Sequence, residues 1–179
     1  MIVVIFKIKS KFLLFTDEEP ATDVNNRPKL RYSIRKNGMW FVPRIIEDDG
    51  TADLEPFVMD DYENVYFSWT DSSKVFDDNT TDEEKAAAMR ISFGVLNYKT
   101  NKINIETVPY LSKRSNVSEY SSMIKKIGDK IVLSWLVYND ITDTNNRRYG
   151  IEAFYYDPDT RSFYTDTNEV DRVMEIYFP

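Results

Sequence analysis

Apolar and polar residues alternate over much of this chain in runs of strand length, and short polar turns separate the runs. Residues 64–73 read "NVYFSWTDSS" and residues 130–139 read "KIVLSWLVYN", so that two runs end on the same Ser-Trp pair. Alternation with a period of two is typical of β-strands, and a polar turn between two such runs indicates a hairpin. The pattern therefore predicts strands, joined as hairpins, along most of the chain.

The hairpin pattern recurs three times. Trp69 aligns with Trp135 when residues 55–69 are placed on residues 121–135 without a gap, and an earlier copy begins at Ile2. A second hairpin with a polar turn follows each copy, so each unit holds four strands. The predicted units span about 2–46, 56–108 and 121–170.

Four-stranded units repeated in series are typical of β-propeller blades. The sequence therefore predicts an all-β, β-propeller-like fold of three four-stranded antiparallel blades, with Trp69 and Trp135 buried at equivalent positions. The alternative is a two-sheet β-sandwich built from the same short strands. Since propellers close with about 4 to 8 blades, residues 1–179 are expected to form a single domain or fragment that belongs to a longer propeller or self-associates.

Composition narrows the possible functions. Aromatic residues make up 15% of the chain and only 5 residues are Gly, which favours strands. A net charge of −7 argues against a nucleic-acid partner, because phosphate binding needs a basic surface. The absence of Cys and His excludes disulfides, thiolate catalysis and His-based triads. No run approaches the ~20 apolar residues of a membrane-spanning helix.

Residues 32–71, which begin "YSIRKNGMWFVP", resemble the sialidase-like, Asp-box class of β-propellers found in secreted bacterial proteins. Ser33 and Trp40 stand at the Ser and Trp positions of the Asp box, whereas Arg35 replaces its Asp and Gly38 lies one place late. The resemblance implies propeller architecture and a secreted or cell-surface location, with a cytoplasmic location as the alternative. It does not imply sialidase activity, because no convincing arginine triad is present.

Differences in loop length indicate where a ligand would bind. In a propeller blade, the loops after the second and fourth strands lie on one face, which we call the loop face. It carries residues 47–55, 70–88, 109–120 and 138–149, and the differences in length among the three units fall on these loops. The longest loop also predicts a short helix after Thr80, capped by Thr81 or Asp82. Variable loops on a rigid scaffold are where binding residues concentrate.

The loop face is rich in acidic and tyrosine side chains, which suits cations, glycans or basic peptides. The run "NDITDTNN" at 139–146 offers Asp140, Asp143 and Asn145 as oxygen ligands for calcium, although it lacks the spacing of a calcium-binding loop. No other cofactor is predicted. The candidate ligand-binding residues are Asp71, Asp77, Asp78, Tyr110, Tyr120 and Tyr138.

These observations favour a non-catalytic β-propeller module that binds a glycan or protein ligand at a bacterial surface. The alternative is a fragment of a sialidase-like, glycan-cleaving propeller enzyme. Carboxylate pairs are easy to find among 30 Asp and Glu residues, so they do not specify a glycosidase, and the sequence favours a non-enzymatic role while leaving catalysis open.

Overall fold

The structure, a computed structural model, describes residues 2–6, 10–18, 28–109, 117–139 and 148–165. Within these ranges the protein consists of three antiparallel sheets and one short helix. No helix in this part of the chain is long and apolar enough to cross a membrane. The all-β fold predicted from the alternating pattern is confirmed.

The first sheet contains β1 (Ile2–Phe6), β2 (Ser10–Glu18), β3 (Pro28–Lys36), β4 (Met39–Trp40) and β5 (Arg44–Ile45). Its order is β1-β2-β3-β4, and β5 also pairs with β3. The last two segments together form a fourth strand that the sequence predicts as continuous. It is broken because the chain leaves the sheet before β5, next to a proline at position 43 that has no backbone N–H to donate.

The second sheet contains β6 (Leu54–Asp60), β7 (Asn64–Ser72), β8 (Met89–Asn97) and β9 (Lys102–Glu106), in that order. The helix α1 (Asp82–Ala88) lies in the long loop between β7 and β8. Thr81 caps it, because its hydroxyl accepts from the backbone N–H of Glu84 while the Glu84 carboxylate accepts from the N–H of Thr81. The predicted helical turn and its cap are confirmed.

The third sheet contains β10 (Val117–Ile127), β11 (Lys130–Asn139), β12 (Arg148–Asp157) and β13 (Ser162–Tyr164), again in sequence order. Thus β7 and β11, which carry the two Ser-Trp pairs, lie in different sheets. The ladders place Trp69 opposite Ser92 and Trp135 opposite Glu152, and both Trp side chains are buried. The blade prediction is confirmed, and the sandwich alternative is wrong.

The sheets stack through their first strands. β6 packs against β1, β2 and β3, and β10 packs in the same way against β6, β7 and β8. Since the first strands of consecutive sheets contact one another, they form the inner side of the stack, as in a propeller. Successive residues of a strand face opposite sides, so β7 sends Phe67 and Trp69 towards the first sheet and Tyr66 towards the third.

Candidate functional site

Two β-bulges mark the inner strands near the loop face. In β6 the register shifts between Leu54 and Phe57, and in β10 it shifts between Tyr120 and Met123. The bulges place Glu55 at φ 49° and Ser121 at φ 53°. Positive φ is uncommon for residues other than Gly, and bulges and strained backbone are enriched next to functional sites.

The carboxylate of Glu55 connects the two bulges. Its Oε2 accepts hydrogen bonds from the backbone N–H of Ser121 at 2.9 Å, from the Ser121 hydroxyl at 3.2 Å and from the Thr70 hydroxyl at 3.3 Å. Glu55 is nevertheless exposed. The junction of the second and third sheets therefore presents an acidic side chain to solvent, and three donors orient it through one oxygen.

A buried carboxyl lies two residues before each bulge. Asp53 accepts a hydrogen bond from the backbone N–H of Leu30 in the first sheet at 2.9 Å. Glu119 accepts one from the N–H of Ile91 in the second sheet at 3.3 Å. Leu30 and Ile91 occupy equivalent positions near the start of β3 and β8. Each carboxyl therefore links the inner strand of one sheet to the third strand of the preceding sheet.

Burial raises the pKa of Asp53 to about 7. The hydrogen bond from Leu30 opposes this shift, whereas the negative charges of Asp71 and Asp49 add to it. The indole of Trp69 is close enough to lower the pKa somewhat, but its Nε1 does not reach hydrogen-bonding geometry with any described residue. Asp53 therefore changes its charge near neutral pH.

Burial likewise raises the pKa of Glu119 to about 7. Here the guanidinium of Arg90 and the hydrogen bond from Ile91 oppose the shift, and the charge of Glu152 adds to it. The two buried carboxyls thus share their position and their pKa but differ in the sign of the charge beside them.

An acidic cluster surrounds Asp53 on the loop face. The Thr51 hydroxyl lies 2.9 Å from Asp71 Oδ1 and also contacts Asp49, and the Ser92 hydroxyl donates to Asp71 Oδ2 at 3.0 Å. Burial raises the pKa of both Asp71 and Glu47. No three acidic side chains within the described ranges converge as metal ligands do.

The structure places the three predicted aspartates in two different settings. Asp71 belongs to the acidic cluster. Asp77 and Asp78 lie in the turn before α1, where Asp77 accepts from the Thr80 hydroxyl at 2.8 Å and from the N–H of Asn79 at 3.0 Å. These bonds lower the pKa of Asp77, which shows that its carboxylate shapes the turn.

The predicted tyrosines and calcium ligands are only partly covered by the structure. Tyr120 directly precedes the bulge at Ser121 and pairs with Leu136, and Tyr138 pairs with Ser118 in the same ladder. Both tyrosines are half-buried. The remaining candidates lie outside the described residues and stay predictions: Tyr110, Asp140, Asp143 and Asn145.

Sequence reasoning missed the residues that the inner strands bring together. Asp53 and Glu119 are separated by the same offset as Trp69 and Trp135, and Glu55 and Ser121 share it too. The repeat therefore contained the signal, but it shows only when polar residues are compared across the units as well as apolar ones.

Comparison with known proteins places the chain in no family, since no family model and no curated protein match it. Three solved structures are similar over most of the chain. A Penicillium chrysogenum α-L-arabinanase complexed with arabinobiose matches with a TM-score of 0.49 and 10% identity, over 89% of this chain and 46% of that one. A Fusarium graminearum GH93 α-L-arabinofuranosidase with arabinobiose matches with a TM-score of 0.46 and 11% identity, over 83% of this chain and 42% of that one. A Bombyx mori GH32 β-fructofuranosidase matches with a TM-score of 0.48 and 15% identity, over 93% of this chain and 36% of that one. The chain thus spans less than half the length of each, and likeness at this level carries no argument about activity.

Proposed function

We propose that this chain is part of a β-propeller that binds a polyhydroxylated ligand, such as a carbohydrate, at the two bulges on its loop face. The observation that carries the proposal is the exposed carboxylate of Glu55, held at a strained position between two sheets. A secreted or cell-surface location remains part of the proposal.

The bonding of Glu55 leaves acceptor capacity for a ligand. A carboxylate offers about four acceptor sites on two oxygens. The three contacts that hold Glu55 all use Oε2, so Oε1 accepts no hydrogen bond from the described residues. Hydrogen bonds from sugar hydroxyls to an ionised acceptor are stronger than those between neutral groups. An oriented, exposed carboxylate oxygen therefore suits recognition of a hydroxyl-rich ligand.

A binding assay with one matched pair of variants tests this site. Glu55→Gln keeps the size of the side chain but removes its charge, and we expect it to weaken binding of a glycan selected on an array by about 10- to 100-fold. Glu63→Gln is the control, because Glu63 is an exposed glutamate beside the turn between β6 and β7, at the opposite end of these strands. Loss of binding in Glu63→Gln with full binding in Glu55→Gln would refute the loop-face site.

Cleavage of the glycan is the second candidate function. Glycosidases commonly use two carboxyl groups, and a raised pKa suits one of them to act as an acid. Asp71 has a raised pKa and lies on the same loop face as Glu55, although its side chain faces the opposite side of β7 from Thr70, which donates to Glu55. If the propeller is hydrolytic, Glu55→Gln and Asp71→Asn will each lower the release of reducing ends from a bound glycan by at least about 100-fold. Binding without any release by the wild type would assign the chain to a non-catalytic module.

Calcium at Asp140, Asp143 and Asn145 remains an accessory part of the proposal. The chemistry of two carboxylates and an amide supports it, because calcium prefers oxygen ligands. Titration with calcium, followed by calorimetry, should give heat in the wild type and none in Asp140→Asn/Asp143→Asn. Equal heats in the two proteins would remove the metal from the proposal.

The number of sheets supports a longer propeller or self-association. The described residues form three sheets, whereas propellers close with about 4 to 8 blades. Analytical ultracentrifugation of the purified chain should therefore show self-association, and a stable monomer would favour completion by other parts of a longer protein.

A further inference from the structure

A pocket of about 250 Å³ opens away from the loop face, between the outer part of the first sheet and the turn that joins β8 to β9. The turn contributes Asn101 to the lining of the pocket. The other lining residues come from β3 and from the segment after β4. Both walls belong to sheets that already pack together, so a further blade added to either end of the stack would leave the pocket between them. The lining residues include Tyr32, Ile34, Lys36, Phe41, Arg44 and Asn101.

The broken fourth strand of the first sheet creates the apolar wall of this pocket. Phe41 still donates its N–H to the carbonyl of Ile34, and the Ser33 hydroxyl donates to the carbonyl of Phe41. These two bonds hold the segment in place although it has left the ladder. Phe41 is 57% exposed and Val42 is 83% exposed. The segment therefore presents an ordered apolar surface at the pocket opening.

The charged groups of the pocket are cationic. Lys36 and Arg44 are charged, and no acidic residue of the described chain lines the pocket, although the protein as a whole carries a net charge of −7. The amino group of Lys36 donates to Asn101 Oδ1 at 2.7 Å, which fixes it at the edge of the pocket. An ammonium group has three donors, so two remain for a ligand.

We propose that this pocket binds a small organic anion, namely a carboxylate carried on an apolar ring. The ring would lie against Tyr32, Ile34 and Phe41, and the carboxylate would accept hydrogen bonds from Lys36 and Arg44. The volume lies below the roughly 300–1,000 Å³ of pockets for drug-sized ligands, which limits the occupant to a small molecule. This site is separate from the loop face and does not depend on the carbohydrate proposal.

A tryptophan one residue from the pocket lining provides an indirect readout, and isothermal titration calorimetry measures binding directly. Trp40 is 45% exposed, whereas Trp69 is 0% and Trp135 is 1% exposed, and these are the three Trp residues of the chain. Trp40 is next to the lining residue Phe41 and lies opposite Arg35 in the ladder. Because successive residues of a strand face opposite sides, Trp40 points away from Phe41 and its fluorescence supplements the calorimetry.

The test uses three probes of similar size that do not absorb light at the wavelengths where tryptophan absorbs: cyclohexanecarboxylate, the neutral cyclohexanecarboxamide and the cationic cyclohexylmethylamine. We expect the carboxylate to bind with a dissociation constant of about 1 mM, as a ligand of nine non-hydrogen atoms allows. It should bind about tenfold more tightly than the amide, with no detectable binding of the amine.

Charge-removing variants localise the effect. Lys36→Gln and Arg44→Gln should each weaken binding of the carboxylate about fivefold or more, and Lys74→Gln should leave it unchanged, because Lys74 is a half-exposed lysine on the loop face. Thermal unfolding of the three variants checks that each one folds. Equal affinity for the carboxylate and the amide, no binding up to about 20 mM, or full binding in Lys36→Gln/Arg44→Gln would each overturn the proposal.

Discussion

Two sheet contacts can be compared: the one between the first and second sheets and the one between the second and third. Each contains a buried carboxyl that accepts a backbone N–H from the preceding sheet, but the charges near the two carboxyls differ. Asp53 accepts the N–H of Leu30 in one, and Glu119 accepts the N–H of Ile91 in the other. Acidic side chains surround Asp53, whereas an arginine stands beside Glu119. Each sheet contact therefore contains a buried carboxyl acceptor at the same position of the repeat. The two contacts differ in the length of that side chain and in the charges around it.

The apolar parts of the two contacts differ in their aromatic content. Phe12, Phe67 and Trp69 are the aromatic residues buried between the first two sheets. Between the second and third sheets the rings lie closer together. The ring centroid of Phe93 is 4.9 Å from that of Tyr156 and 5.3 Å from that of Phe163, whereas the centroids of Phe67 and Trp69 in the first cluster are 5.9 Å apart. The buried aromatic residues of this second cluster are Tyr66, Phe93, Trp135, Phe154 and Tyr156, with Phe57 and Phe163 partly buried against it, whereas Tyr32 and Tyr98 are partly buried against the first. Aromatic pairs add to the stability expected from burial alone, so we expect the second contact to be the stronger one.

Removing the two equivalent Trp side chains has the largest expected effect and compares the two contacts directly. Trp69→Ala and Trp135→Ala should each lower the free energy of unfolding by about 3–5 kcal/mol. Each Trp stacks on a Phe, at 5.9 Å between ring centroids for Trp69 and 5.6 Å for Trp135, and we expect the larger loss for Trp135 because more aromatic rings are buried around it. The measurement is chemical denaturation, and Trp40→Ala is the exposed control with almost no effect.

Replacement by Phe separates packing from hydrogen bonding at the same positions. Neither indole Nε1 has a hydrogen-bond partner among the described residues, and a buried unsatisfied donor is destabilising. Trp69→Phe and Trp135→Phe should therefore lose clearly less than the Ala variants. A loss in either Phe variant larger than the smaller ring explains would show that its N–H group is hydrogen-bonded in solution.

Adding one methyl group at Gly94 should disturb the first contact and spare the second. A Cβ at this position would lie 2.4 Å from Cζ of Phe67, its partner in the ladder, and Phe67 belongs to the cluster between the first two sheets. Gly94→Ala should lower the free energy of unfolding by about 1–3 kcal/mol, because the ring must move. Gly150→Ala is the control, since nothing lies within 4 Å of a Cβ there. A neutral Gly94→Ala would show that the Phe67 ring relaxes freely.

The buried carboxyls should make stability fall as pH rises. Their folded pKa values of about 7 lie above the ordinary values of 3.8 for Asp and 4.5 for Glu, so between about pH 4 and pH 7 the folded state holds protons that the unfolded state has lost. The stabilising contribution is thus complete below about pH 4 and is lost as pH rises through 7. At about 1.36 kcal/mol per pKa unit, each group should account for at most about 3–4 kcal/mol in unfolding experiments across this range.

Isosteric amides test which groups are responsible. Asp53→Asn and Glu119→Gln each keep an oxygen that accepts from Leu30 or Ile91 but cannot titrate, so each should remove its own part of the slope between pH 4 and pH 7. Asp159→Asn, at an exposed turn, is the control. An unchanged slope in Asp53→Asn/Glu119→Gln would assign the pH dependence to other groups.

The smallest expected effect is a pair of pKa shifts of opposite sign, which distinguishes the two contacts most clearly. Arg90→Gln removes the cation beside Glu119 and should raise the pKa of that carboxyl further, whereas Asp71→Asn removes an anion near Asp53 and should lower the pKa of Asp53. We expect shifts of about 0.5–1 unit in NMR titrations of the side-chain carboxyl carbons. Shifts of the same sign would show that the neighbouring charges do not determine the difference.

The alternating pattern predicted the strands but placed the start of two blades at 56 and 121, whereas β6 begins at Leu54 and β10 at Val117. The bulges at Glu55 and Ser121 explain the difference. An extra residue in a strand reverses which side chains face inwards, so the period of two is lost there. The pattern became visible only after each bulge, and for that reason the candidate site at the bulges was missed.

Sequence reasoning placed Asp71 on the loop face, and the structure adds what surrounds it. Its partner hydroxyls come from Thr51 and Ser92, which are distant along the chain and have no distinctive local pattern. Asp77, in contrast, bonds within its own turn, where Asp followed by Asn and Thr is a recognisable local signal.

The sequence by itself determined the elements that depend on local periodicity: the strands, the polar turns, the capped helix and the equivalence of Trp69 with Trp135. It did so because alternation, turn chemistry and capping act over a few residues and recur in each unit. The tertiary structure decided the burial of Asp53 and Glu119, their raised pKa values and the bridge from Glu55 to Ser121. These features arise where two sheets meet, and both desolvation and hydrogen bonding there depend on partners that are far apart in the chain.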